Sequence, residues 1–124
     1  MKLLLLFCLV LSLYASDSKK EHHLSKDLSY LELTSDQKDI VKSMVKQYRT
    51  EIKAFREFKE KMEDEKERLL IQEVLHEQEL QKINEAIFQK ANAIESHFLM
   101  QMHNVLTKEQ RKKFAHNLEE WEVE

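Results

Sequence analysis

The side chains best suited to coordination chemistry lie in one seven-residue run, His97-Phe98-Leu99-Met100-Gln101-Met102-His103. Imidazole and thioether together suit Cu, Ni, Co or Zn. His97 and Met100 stand at i, i+3 and are placed to share one transition metal ion on a helix. His103 is turned about 120° from His97 on a helical wheel, so all three converge only if a second helix contributes. Met102 falls in the apolar register and reads as core. His22-His23 forms a second candidate pair near the start of the chain. A different chemistry, capture by charge, is carried by Lys38, Lys42, Lys46, Arg49, Lys53 and Arg56. At about 100° per residue these six fall on one arc roughly 80° wide. Tyr48, Ile52 and Phe55 are apolar neighbours of that arc, and together the two sets form a candidate client-binding surface. Enzyme chemistry has no comparable support. There is no glycine-rich phosphate loop, and Glu77, Glu79 and Glu85 near His76 have no spacing that separates a catalytic pair from surface charge. The expectation is a protein that is not an enzyme.

The elements that position these residues are announced by a phrase that occurs twice. Leu33-Thr34-Ser35-Asp36-Gln37 and Leu106-Thr107-Lys108-Glu109-Gln110 both read Leu-Thr-x-x-Gln. Threonine followed three residues later by glutamine is a capping box: the hydroxyl accepts from the N3 amide, and the glutamine side chain accepts from the N-cap amide. Thr34 and Thr107 are therefore expected to open helices. The chain of 124 residues contains no glycine and no proline. Tight turns between strands need residues that tolerate positive φ, so the absence of glycine argues for an all-α chain.

The first 16 residues have the three parts of a secretory signal: positive Met1-Lys2, an apolar run from Leu3 to Leu13, and Tyr14-Ala15-Ser16, which leads into polar residues from Asp17. The apolar run is shorter than the roughly 20 residues that span a bilayer. Cleavage is expected after Ala15 or Ser16, which removes Cys8, the single cysteine. Phe7 is too bulky for lipoprotein processing at Cys8. Stability without disulfides must then come from packing or assembly, and no stable membrane insertion is expected once the signal is gone. The formal net charge is −3, which does not favour nucleic acid or an anionic membrane as partner.

Residues 17–23 read as a flexible tail, and 24–124 as one helical domain. Leu24, Leu28 and Leu31 space a short helix of about two turns. The second helix starts at Ser35, and its apolar residues from Ile40 to Met62 fill an arc of roughly 140°. Its far half is acidic: Glu57, Glu60, Glu63, Asp64, Glu65 and Glu67. Apolar residues crowd several faces between Leu69 and His76, which places a turn near 73–76. A third helix is expected from Glu77 to Val105, and a fourth from Lys108 to about Glu122. The two long helices should form an antiparallel hairpin with the short ones folded over its ends, and so thin a core favours a homodimer.

Two such boxes 73 positions apart, behind a signal and flanking long helices, resemble the Spy/CpxP family of periplasmic proteins. The second copy, Asn104 to Arg111, is the closer match. The resemblance implies a four-helix, cradle-shaped homodimer in the periplasm of a Gram-negative cell. Its members act as ATP-independent chaperones for unfolded envelope proteins or as accessory sensors of envelope stress; a helical adaptor that docks on a sensor kinase is a third possibility for this chain. A related branch, similar to CnrX and ZraP, senses or binds transition metals. That branch places a histidine and a methionine about a turn apart before the second box. Here Met102 matches the methionine, His97 is one residue out of register, and Leu24 and Leu28 stand where histidines would precede the first box.

Overall fold

The computed structural model describes residues 28–124. A 3₁₀ turn, Ser29–Leu31, precedes three α-helices: α1, Ser35–Leu70; α2, Glu77–Val105; and α3, Lys108–Ala115. A second 3₁₀ turn, Leu118–Trp121, follows. The described residues contain no strand, and none of their helices is long and apolar enough to cross a membrane. The expected signal and tail lie outside the described residues, as do residues 24–27 of the expected first helix.

Both boxes form as expected. Thr34 accepts from the Gln37 amide and Thr107 from the Gln110 amide, and each glutamine side chain accepts from its own threonine N–H. These bonds satisfy orphan donors at the start of α1 and α3. The stretch 71–76 separates α1 from α2, two residues earlier at its start than the expected turn. Glu77 and Glu79 then place negative charge in the first turn of α2, where the helix dipole favours it.

α1 and α2 lie against each other with their contacts running in opposite senses. Gln37 bonds the Val105 carbonyl, Tyr48 stacks on Phe98 with ring centres 4.3 Å apart, and the Lys90 ammonium lies 4.3 Å from the centre of the Phe58 ring. The core gathers at the end where the boxes meet. Val41, Met44, Val45, Tyr48 and Phe55 from α1 pack with Ile94, Phe98 and Met102 from α2, closed by Leu31, Leu106, Phe114 and Trp121. Phe98 is the hub: it stacks on Tyr48 and on Trp121, the latter at 4.8 Å, and meets the Phe114 edge at 6.4 Å.

The expected fourth helix stops early. α3 ends at Ala115, Asn117 folds back to donate to the Lys113 carbonyl, and the chain continues as the 3₁₀ turn. This break tucks the Trp121 ring fully inside and aims its carbonyl at the Tyr48 hydroxyl, which donates to it at 2.5 Å. A buried phenol needs such an acceptor, and a continuous helix has no reason to supply one there. Glu32 shows another consequence of lacking glycine. It caps the first 3₁₀ turn at φ 52°, a left-handed conformation that costs a side-chain-bearing residue about 1–2 kcal/mol. It is held there by Gln110, which donates to its carbonyl, and by Lys113, 3.1 Å from its carboxylate.

Burial, reinforced by the nearby Glu95 carboxylate, pushes the Tyr48 phenol well above its usual range. A folded-state pKa raised above the unfolded value gives stability that is complete below about pH 10 and is lost as pH rises beyond it. Urea denaturation at pH 8 and pH 10.5 should therefore show an alkaline loss of stability. Tyr48→Phe should reduce that loss, while lowering stability at pH 8 by about 1 kcal/mol for the missing bond to Trp121. An equal alkaline loss in Tyr48→Phe would assign the effect to another group.

Candidate functional site

Most of the basic arc of α1 lies along one groove. Lys38, Lys42, Lys46, Arg49 and Lys53 line an open groove of about 940 Å³ together with Thr50. The other wall is the segment ahead of the first box: Leu28, Ser29, Glu32 and Leu33. Val41 and Val45 form the floor between them. Arg56 continues the arc beyond the groove and is exposed. Among the described residues none of the six basic side chains is engaged in an ion pair. The groove thus offers a rim of uncommitted cations beside the half-buried Leu28 and Leu33. Such a rim attracts an acidic segment at long range, and the apolar wall takes apolar side chains without demanding a particular shape.

The apolar half of the expected surface is different from what the sequence suggested. Tyr48 and Phe55 are 1 % exposed and belong to the core, and Ile52 is half-buried against it. The tyrosine and phenylalanine face α2, because their rings are needed there. The accessible apolar lining comes instead from the half-buried Leu28 and Leu33; Val41 and Val45 beneath them are core residues too, 2 % and 9 % exposed. A signal for the floor was present. On the wheel Val45 lies about 20° from Lys38, whereas Tyr48 lies about 80° and Phe55 about 100° away. Nothing in the sequence pattern announced that the segment before the first box would form the opposite wall.

The boxes meet each other, which helical capping alone does not predict. The Gln37 side-chain nitrogen donates to Gln110 Oε1 at 2.9 Å and to the Val105 carbonyl at 2.9 Å. The Gln110 nitrogen donates to Gln37 Oε1 at 3.0 Å and to the Glu32 carbonyl at 3.5 Å. Val105 and Glu32 each stand two residues before the threonine of the opposite box, so the arrangement has a local two-fold character. Each amide uses both hydrogens, and each oxygen accepts twice, once from its own threonine N–H and once from the other glutamine. Leu106 is buried in the core, and Leu33 reaches both the core and the groove wall. The lock therefore sets the start of α1, and with it the first lysines of the rim.

The coordination candidates of the second half of the chain lie on α2. His97, Met100 and His103 are all exposed on α2, and the His103 carbonyl accepts from Arg111. Met102 is fully buried in the core. No group of three His, Cys, Asp or Glu side chains converges among the described residues, and His22-His23 lies outside them. No family model, no curated protein and no solved structure matches the chain.

Proposed function

We propose that the groove binds segments of unfolded or misfolded proteins, and that the protein is an ATP-independent holding chaperone or envelope-stress accessory protein rather than an enzyme. The observation that carries this reading is the open groove itself, with five cations facing the half-buried Leu28 and Leu33. Charge gives fast, weakly selective capture, and a small apolar wall allows release. The resemblance to the Spy/CpxP family and the signal-like first 16 residues favour the periplasm as the place of action. The same comparison favours a homodimer with a cradle shape built on a long helical hairpin, and allows a sensor kinase as a further partner. The metal-sensing alternative finds less support, because its candidate ligands are spread along an exposed helix face.

The test is suppression of aggregation of a chemically denatured client at low salt. The protein should suppress it at a few-fold molar excess. Lys42→Glu, Lys46→Glu and Arg49→Glu together should weaken capture by about tenfold or more, since like charges now meet an acidic segment. No suppression at that excess would overturn the reading. Unchanged suppression by the triple variant would move the site away from the groove.

A further inference from the structure

Exposed aliphatic side chains gather at one place, the turn between α1 and α2. Leu70 is 64 % exposed, Ile71 85 %, Val74 61 % and Leu75 42 %. The other large apolar side chains that stand in water, Ile40, Phe88, Met100 and Leu118, are scattered singly along the chain. Single exposed apolar residues need no explanation, whereas a contiguous group does. A connection of this length is ordinarily built from small polar residues. The four side chains at the turn are not spent on the core: none belongs to the main cluster or packs against it, and the buried places near the turn are filled by Leu69 and Ile83.

The surroundings of this patch carry one sign. Residues 60–79 hold eight acids and three bases. Two of the bases are already engaged, Lys66 with Glu63 and Arg68 with Glu65. Glu60, Asp64, Glu67, Glu73, Glu77 and Glu79 are exposed, and none of them is in an ion pair among the described residues. Glu67 stands about one turn before Ile71 on the same face of α1. Glu73 lies within the connection, and Glu77 and Glu79 lie in the first turn of α2. Carboxylates therefore collar the patch from both helices.

The collar selects the occupant. It repels an anionic lipid surface, and it repels the same turn of another molecule of this protein. It attracts lysine and arginine, whose stems also cover aliphatic surface. The face from Glu60 to Ile71 runs about 16 Å, the length of about three helical turns. That extent suits a short amphipathic segment with bases on one side and large apolar residues on the other.

We propose that the turn end of α1 and α2 docks a basic, apolar segment of another protein. Leu70, Ile71, Val74 and Leu75 make the apolar contact, and the surrounding carboxylates hold the bases. The site shares no residue with the groove, has the opposite charge, and does not rest on the client reading.

Fluorescence anisotropy with labelled peptides of about 14 residues, some four turns of helix, tests it. An amphipathic Lys/Leu peptide should bind the protein about tenfold or more tightly than a Lys/Ser peptide of equal charge, because only the first can bury apolar surface. Leu70→Ser/Ile71→Ser/Val74→Ser/Leu75→Ser should remove that advantage. Glu60→Gln/Glu67→Gln/Glu73→Gln should weaken Lys/Leu binding by about tenfold in about 50 mM NaCl, and by less in about 500 mM, where charge is screened. All seven positions are exposed, so helical circular dichroism should be unchanged. The glutamine variant alters no apolar residue and keeps the test decisive should the serine variant misfold. Lys42→Ala/Lys46→Ala/Arg49→Ala in the groove should leave Lys/Leu binding unchanged. Equal affinity for the two peptides, binding untouched by the glutamine variant, or binding lost with the groove variant would each overturn the proposal. So would sedimentation showing self-association through the four aliphatic side chains that shuts the peptide out, since a second copy would then be the occupant. Binding of phosphatidylcholine vesicles through those side chains in place of the peptide would overturn it in favour of lipid.

Discussion

Phe98→Ala is expected to lower stability by about 4 kcal/mol, the middle of the range for emptying a buried aromatic site. Phe98 is 1 % exposed and touches three other rings, so its removal leaves Tyr48, Phe114 and Trp121 around a void. A domain of this size has about 5–15 kcal/mol in total. The variant should therefore lose much of its urea resistance and its near-ultraviolet dichroism. Phe88 provides the control: the same residue type on the same helix, but 70 % exposed. Phe88→Ala should change stability by less than about 0.5 kcal/mol. Similar losses at the two positions would mean that Phe98 is not the hub of the core.

The second large effect concerns the glutamine pair. Gln110→Ala removes a capping contact to Thr107 and leaves the Gln37 amide with one unpaired hydrogen in a half-buried place. Losing a cap costs about 1 kcal/mol, and an orphaned polar group about 1–3 kcal/mol. The expected loss is about 2–3 kcal/mol, and Gln37→Ala should behave alike. The double variant should cost less than the two losses added, by about 1–2 kcal/mol, because the pair is lost only once. Strict additivity in urea denaturation would show two independent caps.

What could be read from the sequence follows from which forces are local. The starts of α1 and α3 were legible because a capping box is written within four residues. The bounds of α2 were legible because its apolar residues repeat at helical spacing. The pairing of Gln37 with Gln110 was not, since it joins residues 73 positions apart and depends on how α1, α2 and α3 come together. The break after Ala115 was hidden for a similar reason. Phe114, Leu118 and Trp121 keep helical spacing, and only the Tyr48 hydroxyl on a distant helix reveals that Trp121 is held otherwise. In the groove the cations were legible from their register. Their apolar companions were misassigned because side-chain size drew attention to Tyr48 and Phe55, whereas the accessible wall comes from Leu28 and Leu33.

The uneven distribution of the core has a consequence for how the chain opens. Among the described residues, twelve buried side chains join in one cluster at the end that holds the boxes, whereas only Leu69 and Ile83 are buried outside it, both near the far turn. Local opening is cheapest where few apolar contacts must be broken. Backbone amides from about residue 60 to residue 85 should exchange with solvent deuterium through partial unzipping that begins at the 71–76 turn. Amides around Tyr48 and Phe98 should exchange only on global unfolding. The molecule then behaves as a clasp, fixed at the glutamine lock and loosening from its free end.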